Sequence, residues 1–394
     1  MPPVFFVQAH AADADWRVAL AQSVTQIQTQ RAARGTPSVE AAPCTLGWCY
    51  LSDYYAPQAE AILAELRQRM PGVDWVGTAG VGVAANGVEY IDEPALVLMV
   101  ATLPRESFRV FSGRRPLPAA SSGFVPHTAL VHADGSAPDL QELIHELSDR
   151  TATGYLFGGL SSARNRPLHM ADGVFTGGLS GVAFGPEINV ISRVTQGCQP
   201  VGPVRTITAG ERNIVISLDG QPALECVLRD LRLGAGAPDD ELEQALSTTL
   251  VGLITAAEDM PVRPGQFGAE TAVRHLLAVD RQHQVVAIAD WIEPGMRLAF
   301  CTRNAEAALR DLVRITTEIR EEVESGGAHH ISGGLYVSCS GRGGPHFGAR
   351  HAELQTVRNA LGDVPLVGFF AGGEIARYHL YGYTGVLTVF TAPA

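Results

Sequence analysis

Apolar and polar positions recur along the chain in one order: an apolar strand, an amphipathic helix, a short strand running into glycine, and a further apolar strand. The first copy comprises TLGWCYLSD (45–53), a helix over 57–70, VDWVGTAG (73–80) and PALVLMVA (94–101). The second comprises TALVHADG (128–135), a helix over 138–150, GYLFGGLSS (154–162) and VFTGGLSGVAF (174–184). The third comprises GLYVSCSGRGG (334–344), a helix over 349–361, VPLVGFFAGGE (364–374) and TGVLTVFT (384–391). An apolar residue followed by glycine sits at the same point of each copy, as Val76-Gly77, Phe157-Gly158 and Val367-Gly368. Glycine there lets the backbone bend or approach a neighbour closely, and it also serves as a simple turn residue. The repetition predicts an α/β fold: two lobes of layered mixed sheets, helices on the outer faces, built from repeated strand-helix-strand units.

Other segments fill in around the repeats. Trp16, Leu20, Val24 and Ile27 recur at helical spacing between Asp13 and Gly35, so the residues before 45 read as a single helix. Asn86-Gly87 marks a hairpin within 81–90, and the Pro, Ser and Arg-rich stretch 102–127 reads as a surface loop. Strand candidates INVISRV, VRTIT and NIVISL precede PALECVLRDL, a predicted helix, and the lobe boundary is placed near 220. Beyond it, the pattern predicts a helix over 239–258, a strand pair around Asp280, and a helix over 304–324 with Leu309, Leu312, Val313 and Ile319 on its apolar face.

Composition narrows the chemistry. All 29 basic residues are Arg, so Schiff-base, pyridoxal-phosphate and P-loop lysine chemistry is excluded. A net charge of -12 argues against nucleic acid or an anionic membrane as partner. The six cysteines are scattered, with no CxxC pair to suggest disulfides or structural zinc. Val4-Phe5-Phe6-Val7 is too short for a signal-peptide core, and a cytoplasmic protein is expected. His346 and His351 are five apart, a poor spacing for a metal on a helix, and His329-His330 reads as part of a Gly-rich loop. Asp219-Gly220 reads first as a turn. No GxGxxG opens a helix after a strand, so a dinucleotide loop is set aside, and neither a cofactor nor a metal is expected.

Three groups of residues remain as site candidates. Arg342, in Ser340-Gly341-Arg342-Gly343-Gly344 at a strand end, offers a planar fork of donors suited to a carboxylate, or else pairs with a buried acid. Glu374, after Gly372-Gly373 in the neighbouring loop, could receive an ammonium group or hold Arg342 in place; the two together would match a zwitterion. Gly159 belongs to the equivalent loop of the second copy. Cys198, in Gly197-Cys198-Gln199-Pro200, is open to three readings: packing, pocket lining, or a nucleophile needing a base.

VFTGGLSGVAF, TQGCQPVGPVRTIT (195–208) and LDGQPALECV (218–227), followed by RHLLAVD (274–280), IEPGMRLAFCTRN (292–304), CSGRGGPHFG (339–348) and VGFFAGGEI (367–375), resemble the FIST family, the F-box and intracellular signal transduction proteins. The resemblance implies an N-terminal module over 1–220 and a C-terminal module over 221–394, and a sensory protein binding a small, amino-acid-like ligand in bacterial signalling. An F-box is not expected, because the residues before 45 read as one helix, and any signalling output would pass through a separate protein. The leading expectation is thus a non-enzymatic sensor whose ligand contacts Arg342, Gly343, Gly372, Gly373, Glu374, Gly159 and Cys198; the alternatives are a thiol-dependent enzyme using Cys198 and a protein-interaction scaffold.

Overall fold

Leu46–Ser52 is buried at every position, which is why it reads as an unbroken apolar run rather than an alternating one. In the computed structural model of the chain, described over residues 4–33, 43–117, 123–234, 236–254, 271–327 and 329–393, it is a central strand of the first of three six-stranded sheets. It pairs parallel with Asp74–Gly80 and antiparallel with Ala95–Ala101. The second copy repeats this arrangement with Thr128–Ala133, Tyr155–Leu160 and Leu179–Phe184. The third does so with His329–Cys339, Leu366–Ala371 and Thr384–Pro393. The predicted helices are Ala59–Arg69, Leu140–Asp149 and Ala352–Leu361, each crossing between its two parallel strands.

Between its second and third strands each copy sends out a hairpin, and the hairpins are exchanged in a ring. Gly82–Ala85 of the first copy pairs with the third copy's Leu366–Ala371. His169–Ala171 of the second pairs with Asp74–Gly80 of the first. Glu374–Ala376 of the third pairs with Tyr155–Leu160 of the second. The three glycines mark one equivalent point in this ring: Gly77 lies between Cys49 and Met170, Gly158 between Val131 and Ile375, and Gly368 between Tyr336 and Ala84. A Cβ on any of them would stand 1.8, 1.9 or 1.7 Å from the carbonyl oxygen of Cys49, Val131 or Tyr336 respectively. Close approach between strands, not a turn, therefore requires glycine here.

The inner faces of the three sheets share one core, in which the Tyr50 ring stacks on Phe369 at 5.1 Å and its hydroxyl lies 3.1 Å from Nε2 of His132. Burial holds the His132 imidazole far below its ordinary range, at about 3, so it is neutral. The helices cover the outer faces. On Leu140–Asp149 the residues Leu140, Ile144 and Leu147 face inward at helical spacing.

The structure departs from several expectations. Residues before 45 supply a strand as well as a helix: Phe6–Ala12 pairs antiparallel with Ala95–Ala101, and Trp16–Ala33 follows. Its apolar alternation gives it an inner and an outer core face, and both are used. The stretch read as a loop over 102–127 contains the strand Phe108–Ser112, paired with Leu179–Phe184; residues 118–122 of it lie outside the described residues. The helix expected over 239–258 ends at Ser247, and Thr249–Ile254 is a buried strand, as its β-branched and leucine-rich run would favour; the remainder of that span, from 255, lies outside the described residues. On Ala305–Ser325 the buried stripe is Ala308, Leu312, Ile315, Ile319 and Val323, while Leu309 and Val313 face out. His329 and His330 open a strand rather than sit in a loop.

Two units result, Met1–Thr195 with Leu312–Ala394, and Gln196–Asp311. The third repeat takes up the first repeat's hairpin and completes its sheet with Asn189–Gln196, so the chain returns to the first unit after 311. In the second unit Arg297–Arg303, Arg205–Glu211, Ile214–Leu218, Val285–Ile288, Ala272–Asp280 and Thr249–Ile254 pair in succession, and the last pairs back with the first. This closed antiparallel ring surrounds its own core, capped by Leu224 and Val227 of Ala223–Asp230. A buried bidentate pair, Arg205 with Asp230 at 2.6 and 2.7 Å, fixes that helix to the ring. No described helix is long and apolar enough to cross a membrane.

Candidate functional site

Arg342 stands in the turn between His329–Cys339 and the helix Ala352–Leu361, held by its backbone N–H bonding to Cys339 O at 2.8 Å. Its flanking glycines do not leave the guanidinium open to solvent; the side chain is buried, 1% exposed. Nε donates to Glu353 Oε1 at 3.0 Å, so the ion-pair partner is Glu353 and not Glu374. The Tyr336 hydroxyl donates to the same oxygen at 2.7 Å, and Ser338 Oγ reaches both Glu353 oxygens at 3.0 and 3.1 Å. Nη1 approaches Tyr383 O at 3.5 Å, the Phe347 ring centroid lies 5.4 Å from Cζ, and Nη2 has no hydrogen-bond partner among the described residues.

Glu374 opens the exchanged hairpin, directly opposite Gly159 in the strand register, and is fully buried. Its Oε2 accepts from Thr384 N at 3.2 Å and Oγ1 at 2.8 Å, the Cys339 thiol bonds to the carboxyl group, and Oε1 has no further hydrogen-bond partner among the described residues. Glu89, from the first copy's hairpin, brings a third carboxylate, its Oε1 accepting from Leu354 N at 3.1 Å and its Oε2 from Gly344 N at 3.3 Å at the start of the helix. The Arg342 guanidinium pairs with Glu353 and acts on Glu374, while Glu89 is held by backbone N–H groups at the helix start. Burial, with the charge of Glu353, raises the Glu89 carboxyl above its ordinary range, although the Leu354 N–H opposes the shift. Burial pushes Glu374 up to about 8, against the Thr384 bonds and the Arg342 charge. The Cys339 thiol is pushed up to about 12 by burial and then by Glu374.

A carboxyl that holds its proton more tightly folded than unfolded loses stability as pH rises between the two values. For Glu374 that window runs from its ordinary 4.5 up to about 8, and the contribution is level above it. Glu374→Gln should therefore flatten the fall in urea-denaturation stability across this window relative to the unsubstituted protein; identical slopes for the two would show that Glu374 ionises at its ordinary value.

The glycines of the predicted site serve packing. A Cβ on Gly343 would lie 2.4 Å from the Phe370 ring and 2.7 Å from Ile91, and one on Gly159 2.7 Å from Gly373 O. One on Gly373 would lie 3.0 Å from Leu380, and one on Gly372 3.3 Å from Ser161 O. Arg342, Gly343, Gly372, Gly373, Glu374 and Gly159 are therefore brought into one neighbourhood of the first unit, whereas Cys198 belongs to the second. Cys198 is buried in the strand Cys198–Pro200, beside Arg297–Arg303, and its thiol hydrogen-bonds that of Cys301. This contact, followed by burial, drives Cys301 far above its ordinary range, so the partner of Cys198 is a neutral thiol and not a base. Asp219-Gly220 is a turn, with positive φ at both residues and Asp219 Oδ1 accepting from Thr206 N at 2.9 Å.

An open cleft of about 640 Å³ lies at the other ends of the second copy's parallel strands, where Thr128 and Tyr155 begin them. The edge strand Asn189–Gln196 contributes Ser192 and Arg193, the turn of the exchanged hairpin contributes Arg377 and Tyr378, and the helix Ala305–Ser325 contributes Glu322. The Tyr155 hydroxyl bonds Ser192, and the charges of Arg377 and Arg193 both act on it; burial nonetheless raises the phenol. Arg193 is braced by Glu318 and Glu322, and Arg377 is fixed in the left-handed region at φ 55, with its carbonyl accepting from Leu156 N at 3.2 Å. The sequence carries little sign of this site. Arg193 is the one charged residue of its strand, and nothing local marks Arg377 as the tip of a hairpin donated to another sheet.

The FIST N domain family model matches residues 45–221 and the FIST C domain model residues 223–377. The chain is 29% identical over 394 residues to an uncharacterised protein of Mycobacterium tuberculosis strain H37Rv, covering 95% of this chain and 98% of the relative. It is also 29% identical over 357 residues to an uncharacterised protein of Mycobacterium bovis, covering 85% of this chain and 88% of that relative. With its two family modules matched in order across most of its length, the chain belongs to the FIST family.

Proposed function

We propose that this FIST protein is a non-enzymatic sensor that takes a small polar ligand into the Tyr155 cleft, and that it acts in the cytoplasm through a separate signalling partner. The observation that supports this most is the cleft itself: about 640 Å³, within the range of small-molecule sites, with two guanidiniums bearing on one half-buried phenol. Thermal denaturation against a panel of amino acids, organic acids and amines tests it. A saturable rise in Tm without consumption of the compound is expected. Absence of any saturable rise would contradict ligand binding, and turnover would favour an enzyme.

A second reading keeps the ligand at Arg342 and Glu374, with Gly343, Gly372, Gly373 and Gly159 around them. It is favoured by the unpaired Arg342 Nη2 and Glu374 Oε1, two buried atoms of opposite polarity that a zwitterion would satisfy. The Cys198 enzyme reading draws less support, since that thiol is buried against another thiol.

A further inference from the structure

The second unit carries an apolar groove of about 430 Å³ between the helix Asp239–Ser247 and the latter part of the strand Ala272–Asp280. Leu242 and Leu246 form its helical wall, and Leu276, Leu277 and Val279 form the other. Two features of the strand keep the groove open. Thr249–Ile254 pairs with it only from Ala272 to His275, so residues 276–280 have a strand partner, Val285–Ile288, on one side alone among the described residues. The register also shifts between Leu276 and Ala278, and at this bulge Leu277 lines the groove while 57% exposed. A strand paired on one side and bordered by an apolar groove is a template for a further strand.

Charge decides what kind of strand fits. Asp239 is paired with Arg281 at 3.3 Å, whereas Asp240, Glu241 and Glu243 are exposed and have no ion pair among the described residues. The helix dipole accounts for the acids of the first turn, Asp239, Asp240 and Glu241. Glu243 lies beyond that turn and lines the groove itself. The excess negative charge favours a basic occupant, and with a net charge of -12 on the chain it disfavours a second copy.

We propose that this groove docks an extended segment of another protein, apolar at the positions that face Leu242 and Leu277 and carrying Lys or Arg at those that reach Glu243. The surface lies wholly in the second unit, and its argument makes no use of the ligand cleft in the first.

Short fluorescein-labelled peptides of alternating Val and Lys, Val and Glu, or Ser and Lys, titrated into the full chain by fluorescence anisotropy, test this. The Val-Lys peptide should bind saturably, and the other two should bind about tenfold more weakly or not at all. Leu277→Lys, at an exposed side chain, and Glu243→Lys should each weaken the Val-Lys peptide about tenfold or more, with thermal melts checking that both variants are folded. Amide hydrogen exchange at residues 276–280 should slow when that peptide is bound. Comparable binding of the Val-Glu peptide would overturn the basic occupant, and unchanged affinity in both folded variants would remove the peptide from the groove. Binding without slowed exchange at 276–280 would overturn strand addition, and absence of binding by all three peptides would overturn the docking site. Self-association of the chain that Leu277→Lys abolishes would assign the groove to a second copy and overturn the partner named here.

Discussion

Arg342→Ala is expected to lower folding stability by about 3 to 5 kcal/mol, the cost of leaving a buried charge without its partner. Glu353, wholly buried, would keep hydrogen bonds from Tyr336 and Ser338 but lose the guanidinium paired with it. Glu374 also feels the Arg342 charge, so part of the loss falls on it. Arg342→Lys should recover part of it, because an ammonium supplies charge but not the planar fork that reaches Glu353 and the Tyr383 carbonyl together. Replacing both partners, Arg342→Met with Glu353→Gln, should cost less than Arg342→Ala alone, since no unpaired charge remains. Urea denaturation with a constant m-value provides the readout. A loss below about 1 kcal/mol would place the pair in the class of solvated surface bridges and contradict the burial seen here.

The second large effect concerns the three glycines of the hairpin ring. Gly368→Ala puts a methyl 1.7 Å from the Tyr336 carbonyl oxygen, a backbone atom that cannot swing away as a side chain would. The parallel pair must part or shear, and the hairpin strand Gly82–Ala85 on its other side must follow. A loss of about 4 kcal/mol or more, or failure to fold, is expected, which belongs to the severe end of single substitutions. Gly77→Ala and Gly158→Ala should behave alike, with 1.8 and 1.9 Å to Cys49 O and Val131 O. Gly113→Ala is the control, since nothing lies within 4 Å of a Cβ there. Soluble expression and melting temperature of the four variants decide the matter; if one ring glycine accepts alanine at little cost, the copies are not equivalent at that point.

Those glycines show what was legible in the sequence. The apolar-Gly step could be aligned across three copies because each occupies the same register, and register is a local property of strand and crossover. The exchange of hairpins was not legible. Gly82–Ala85 and Glu374–Ala376 carry no mark of which sheet they join, because any short apolar strand satisfies an exposed edge. The same limitation hid the candidate cleft, whose walls come from an edge strand, a foreign hairpin and a helix far apart in the chain. At Arg342 the residue type and the strand-end position were readable, while its burial was set by residues outside the motif. Glu353 lies in the first turn of the next helix, and Glu89 lies in a different copy. The glycines beside Arg342 admit Phe370 and Ile91 to close packing, a role that their sequence context does not reveal.

Calorimetric titration of the most stabilising small molecule into the unsubstituted chain, Arg377→Asn and Glu374→Gln separates the two placements of the ligand most directly. The cleft account predicts that Arg377→Asn loses about tenfold or more in affinity and that Glu374→Gln binds as the unsubstituted protein does. Undiminished binding by Arg377→Asn, together with a loss in Glu374→Gln, would contradict the cleft and return the ligand to the buried cluster of Arg342 and Glu374.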